Sequence, residues 1–182
     1  MAARIVAFVL LVAASPPWGA RANTPQAATP ERSRVIAAAR EVIQKARYCT
    51  MVTMGGDGHP QARMVDPFPP EEELTVWIAT NPLTRKVREV GKDRRVTLLY
   101  FDPAARAYVT LLGRADLVRD RGEKAKRWKE EWTGFYKDDN RGDDYLLIRV
   151  RPLRLEVVSE AHGLTSDPKT WQPVIVEWRA VP

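Results

Sequence analysis

Apolar positions recur along this chain in two rhythms, one helical and one alternating, and their order outlines the fold. Val35, Ile36, Ala39, Val42, Ile43 and Ala46 share one face at helical spacing, behind a start signal at Thr29-Pro30. Tyr48 to Met54 is rich in β-formers, Gly55-Gly56-Asp57-Gly58 reads as a turn, and Gln61 to Phe68 resumes as a strand. Together they predict a hairpin, ended by Pro67, Pro69 and Pro70. Leu74 to Thr80 alternates, Arg95 to Phe101 is β-rich, and Asp102-Pro103 turns the chain. A long strand follows from Ala107 to Val118, interrupted by Gly113.

Further along, Asp120 and Glu123 form a capping box for a helix that places Ala125, Trp128 and Trp132 on one face, with the Lys and Arg residues outward. Between Tyr145 and Val158 the apolar positions change phase. Leu146, Ile148 and Val150 are even, whereas Leu153, Leu155 and Val157 are odd, so a bulge is expected at Pro152. The tail from Ser166 is turn-rich until Val174-Ile175-Val176-Glu177-Trp178, which reads as a short added strand or a segment across the opening of a site. Many antiparallel strands with few helices predict an α+β domain, predominantly antiparallel β, closed as a barrel with peripheral helices.

The stretch from Trp77 to Arg88 carries the candidate chemistry. An alternating strand runs into Asn81 as N-cap, Pro82 at the first helical position, and an apolar stripe of Leu83, Val87 and Val90, with Gly91 ending the helix. Free backbone N–H groups and the positive end of the helix dipole, with Arg85 and Lys86 in the first turn, would hold a dianionic phosphate. The same residues also suit an ordinary strand–turn–helix with a solvated basic face, and the pattern alone leaves both readings open.

Composition narrows the remaining classes. Residues 1–22 read as a cleavable signal peptide: Arg4 precedes an apolar run from Ile5 to Ala14, too short to span a bilayer, and Ala20-Arg21-Ala22 has the form of a cleavage site. A periplasmic or secreted location by the general secretory route is expected, with no stable membrane anchor after cleavage. Residues 23–30 form a polar tether, and residues 31–182 form one domain. Losing Arg4 and Arg21 lowers the formal net charge from +6 to +4, only mildly basic. Arg85, Lys86, Arg88, Lys92, Arg94 and Arg95 are interrupted by Glu89 and Asp93 and accompany no nucleic-acid reader motif, so no nucleic acid is expected as partner. Cys49, the single cysteine, sits in an apolar strand and reads as buried and inert. His59 and His162 lack partners at metal-ligand spacing, so no metal site is expected, and no G-x-S-x-G elbow, Ser/His/Asp order or P-loop is present.

The element order, together with Gln61-Ala62-Arg63-Met64-Val65, Ala79-Thr80-Asn81 followed by Arg85-Lys86, and the strand Val96 to Phe101, resembles the pyridoxamine 5'-phosphate oxidase-like FMN-binding split-barrel superfamily, especially its general-stress-protein branch. The resemblance covers about Glu31 to Glu160 and implies a split barrel that binds FMN. It implies that Arg63 reaches the phosphate or ribityl chain, that Met64 and Val65 present backbone groups to the flavin ring, and that Ala79 and Thr80 form the phosphate turn. In this resemblance Arg85 and Lys86 grip the phosphate. A homodimer with flavin at the interface is likewise implied. Three departures separate the chain from the oxidase branch. Tyr108 stands where that branch has a glutamine near the ring; its C-terminal tryptophan and arginine motif is not recognisable around Trp171, Trp178 and Arg179; and Pro67-Phe68 follow Asp66 where it tends to carry a lysine. A bona fide pyridoxine-phosphate oxidase is therefore not expected.

Two functional readings follow. One is a flavin-dependent oxidoreductase acting on an undefined small molecule with an undefined electron donor, for which catalytic side chains cannot be assigned because the cofactor carries the redox chemistry. The other is a non-catalytic module holding a flavin or haem. Some split-barrel relatives bind haem, and His162 is the candidate axial ligand, with an ordinary loop histidine as the alternative.

Overall fold

The computed structural model describes residues 31–136 and 143–178. The proposed signal peptide, the tether and the Thr29-Pro30 helix start lie outside the described residues, as does Arg179. Helix α1 (Arg32–Ala46) buries Val35, Ala39, Val42 and Ile43 of the expected stripe, and Ala38 besides, across strands β4 (Arg95–Asp102) and β5 (Ala107–Val118), with Ile36 and Ala46 only partly buried. The other strands are β1 (Cys49–Met54), β2 (Pro60–Val65), β3 (Val76–Thr80), β6 (Leu146–Val158) and β7 (Val174–Glu177). All pairings are antiparallel, in the order β2-β1-β4-β5-β6-β3, with β7 added to the second half of β6. The tail thus adds a strand. The path ends at β2 and β3, and between them the Phe68 N–H donates to the Trp77 carbonyl at 2.9 Å.

Strict alternation in β1, β4 and β5 puts Met51, Leu98, Tyr100, Val109 and Leu111 inside, beneath α1. Cys49 is buried there too, as expected, and burial pushes its thiol up to about 12, which leaves it protonated and unreactive. β3 is buried on both faces. Val76 and Ile78 join the main core, while Trp77 joins Tyr145 and Leu147 in a second cluster beneath Phe68, Trp128, Trp132 and Tyr136.

Three elements differ from the sequence expectation. Helix α3 spans only Arg121–Lys126; the Asp120 carboxylate accepts from the Glu123 N–H at 2.9 Å as the capping reading requires, but Ala125 is exposed and Lys124 is buried. Trp128 and Trp132 instead follow the helix, the latter in a 3-10 turn at Glu130–Gly134. Arg127 holds that segment down: its guanidinium lies 3.7 Å over Trp77 and pairs with Glu71 and Glu123. The phase change in β6 is a real bulge. Leu112 pairs with Arg154 and Gly113 with Pro152, so Leu153 is the extra residue and points outward rather than into the core. Gly113 is needed at this bulge, since a Cβ there would run into the Arg151 carbonyl oxygen.

The third difference concerns the helix after β3. Helix α2 spans Arg85–Lys92, one turn later than expected, with Thr84 as N-cap and Asp93 as C-cap. Asn81 Oδ1 accepts from the Leu83 N–H at 2.8 Å, closing a local turn instead of capping the helix. Pro82 lies in that turn, Leu83 is 87% exposed and outside the stripe, and Gly91 is within the helix rather than at its end. Val87 and Val90 are buried as expected.

Candidate ligand site

The C-terminal ends of β2 and β3 meet the start of α2 at one cleft of about 410 Å³. Met64 and Val65 contribute from β2, Ala79 from β3 and Lys86 from α2, so the two motifs separated in sequence converge here. The opposite wall is aromatic, formed by Trp132, Phe135 and Tyr136. These rings are braced by the second cluster, with Tyr136 5.0 Å from Tyr145 and Trp132 edge-on to Phe68 at 5.5 Å. No local pattern brings that wall to the site, because Trp128 and Trp132 fit a helical core stripe equally well.

Next to Lys86 the charges are connected, although Arg63, Thr80 and Glu89 do not line the large cleft. The Glu89 carboxylate, 6% exposed, accepts from Arg63 Nη2 at 2.7 Å and from Thr53 Oγ1 at 2.6 Å, and forms an ion pair with Arg85 Nε at 3.1 Å. Arg63 Nη1 donates to the same Thr53 hydroxyl, so both ends of its fork are engaged. Lys86 is half-buried, and its proton affinity is lowered first by burial and then by the nearby positive Arg63. Thr80 is buried with its hydroxyl 3.4 Å from that of Thr84, which donates to the Asn81 carbonyl at 2.9 Å. The N-cap side chain makes no capping bond, so it does not compete for the first N–H groups of α2. Lys86 and Arg85 diverge by about 100° around the helix. Lys86 lines the large cleft, and Arg85 lines a neighbouring polar cleft of about 360 Å³ beside the Gly55–Asp57 turn.

Comparison with known proteins shows the family and the fold. The family profile for pyridoxamine 5'-phosphate oxidase matches residues 35–159. The chain belongs to the pyridoxamine 5'-phosphate oxidase family. Among solved structures it is similar to the general stress protein 26 from Bacillus anthracis, with 17% identity over 80% of this chain and 99% of that one and a TM-score of 0.63. A general stress protein 26-related protein from Clostridium acetobutylicum aligns at 16% identity over 81% and 96% of the two chains, with a TM-score of 0.66. A haem-binding protein from Mycobacterium smegmatis aligns at 20% identity over 72% of this chain and 55% of that one, with a TM-score of 0.54. No curated protein matches. The fold is therefore the split barrel of this family, as the sequence motifs implied.

Tyr108 does not line the family cleft within one chain. It pairs with Phe101 and Val158 on the outer face of the sheet, and burial, then Glu156, raises its pKa. His162 is held at both ring nitrogens: Nδ1 lies 2.7 Å from Ser159 Oγ and Nε2 3.0 Å from the Glu41 carboxylate. Sequence reading found no such set, because Glu41 lies on α1, far away in the chain. The resemblance to a hydrolytic triad ends at access, since Ser159 is 1% exposed; the set instead ties the turn after β6 to α1.

Proposed function

We propose that the cleft binds FMN and that the protein is a flavin-dependent oxidoreductase acting on a small molecule, distinct in substrate from pyridoxine-phosphate oxidase. The observation that carries this reading is the half-buried Lys86 in the cleft wall, whose proton affinity is depressed first by burial and then by the positive charge of Arg63. Lys86 and Arg63 set two cations near each other, as a phosphate seat requires, while the cleft also carries the exposed Asp66 and Arg63 is bonded to Glu89. Met64, Val65 and Ala79 would face the flavin ring, and Arg63, Thr80, Arg85 and Lys86 its phosphate and ribityl chain. The cleft volume of about 410 Å³ lies in the range of small-molecule sites. When bound, the flavin supplies electron transfer, while the chain supplies charge complementarity and an aromatic, water-shedding wall.

The alternative ligand, haem, is less well supported here, because axial ligation by His162 would break its bond to Ser159 or the one to Glu41, whichever nitrogen it used. Homodimerisation is part of the proposal. Met64, Leu99 and Phe101 form an exposed apolar strip on the outer sheet face, where Met64 and Leu99 both pair with Thr50, and Met64 also lines the cleft. A second copy covering this strip would enclose the flavin and bring Tyr108 to the interface. We further propose export by the signal peptide at residues 1–22.

The test is an absorbance and fluorescence titration of the purified protein with FMN. Quenched, shifted flavin bands and subsequent bleaching by a nicotinamide donor would support the oxidoreductase. Binding without reduction by any donor would favour a non-catalytic flavin module. Failure to bind FMN would overturn the flavin reading, and a Soret band in the isolated protein would replace it with haem.

A further inference from the structure

We infer that Glu89 is a built-in counter-anion that limits how tightly the seat holds phosphate, a role that rests on the FMN reading above. The geometry is specific. A single carboxylate, nearly excluded from solvent, is bonded at once to Arg63, Arg85 and Thr53. It takes one end of the Arg63 fork, and the hydroxyl it shares with Arg63 takes the other. An arriving phosphate therefore meets an arginine with one N–H of each terminal nitrogen already committed and three donors left to offer. A phosphate that takes those remaining donors is placed close to the Glu89 carboxylate, and one that draws Arg63 away leaves a buried carboxylate short of a partner.

Charge arithmetic agrees with geometry. Lys86 and Asp66 line the main cleft, Arg85 and Glu89 line the neighbouring one and Arg63 is bonded to Glu89, so three positive charges around the seat meet two negative ones, of which Glu89 is the buried one. Like charges in a partly buried site repel over several ångströms with an energy that water screens poorly, so the Glu89 charge opposes a dianion far more than it opposes an uncharged ligand. Glu89 is buried on α2 beside Val87 and Val90, which fixes its charge next to Arg63.

The test compares the wild-type protein with Glu89→Gln, which keeps one acceptor for Arg63 and removes the charge. Affinities are measured for FMN, for riboflavin and for inorganic phosphate, the last by thermal stabilisation. Glu89→Gln is expected to tighten FMN and phosphate by tenfold or more while changing riboflavin by less than threefold. Weakened or unchanged FMN and phosphate binding, with riboflavin unmoved, would overturn the inference and make Glu89 an orienting partner of the arginines. If neither protein binds FMN yet phosphate tightens in the variant, the flavin reading fails and the role of Glu89 stands. Should Glu89→Gln not fold, Glu89→Asp draws the carboxylate back by one methylene and is expected to shift phosphate in the same direction, by about threefold; no shift would overturn the inference.

Discussion

Lys86 and Arg85 are neighbours in sequence but unequal in the structure, and their alanine variants should separate cleanly. Lys86 is half-buried in the wall of the main cleft, and its lowered proton affinity, caused by burial and then by Arg63, means that its charge is poorly solvated and only weakly countered. A charge-assisted bond from such a group to a phosphate contributes about 1.5 to 3 kcal/mol, so Lys86→Ala should weaken FMN about 10- to 100-fold. The Arg85 side chain is 58% exposed and its Nε is already bonded to Glu89. Solvent screening reduces its share to about 1 kcal/mol or less, so Arg85→Ala should cost roughly threefold to fivefold. Riboflavin, without the phosphate, should bind both variants as it binds the wild type. Flavin fluorescence titration at fixed ionic strength reads all of these constants. Equal losses for FMN and riboflavin, or a larger loss at Arg85 than at Lys86, would refute the reasoning.

Other consequences concern the frame that holds the site. Gly113→Ala drives a methyl into the Arg151 carbonyl at the β5–β6 bulge and should cost about 2 to 3 kcal/mol, seen as a fall in Tm of about 5–10 °C. Arg127→Ala removes the stack on Trp77 and both carboxylate pairs of a side chain that is 14% exposed. A loss of about 2 to 3 kcal/mol is expected in chemical denaturation, with red-shifted tryptophan emission, and Arg127→Lys should recover less than half of it, because lysine lacks the planar fork. The Cys49 thiol has its pKa raised from 9.0 to about 12 by burial. Its protonated form stabilises the fold fully below pH 9, and that contribution is lost as pH rises toward 12; Cys49→Ala should flatten this slope in urea unfolding measured from pH 8 to 11.

The strands were legible because each has one buried face and alternation exposes it directly, as in Cys49–Met54 and Ala107–Val118. What misled was side-chain competition for backbone groups and packing from far along the chain. Asn81 is a good N-cap by type, yet its carboxamide closes a turn to Leu83, and the helix waits for Thr84. The phase change in β6 was visible, but Leu153 looks like any core leucine until Gly113 fixes which residue is extra. At the site, the residues with a local signature, Met64, Val65, Ala79 and Lys86, converge in the cleft. Glu89 read as an acid interrupting a basic run, because its bond to Arg63 joins elements 26 residues apart and no local pattern encodes it. The aromatic wall of Trp132, Phe135 and Tyr136 was obscured for the same reason: composition marks those rings as apolar, and only the tertiary path after Arg127 turns them toward β2.

The shielding of the one thiol also has a practical use. With Cys49 sealed under α1 and held protonated, the native protein offers no background to maleimides or oxidants at neutral pH. A cysteine introduced on the outer strip, at Thr97 or Leu99 for example, would then be the sole reactive handle on the folded molecule. Two copies meeting face to face would cross-link through it under mild oxidation, which makes that handle a ruler for the geometry of the proposed dimer.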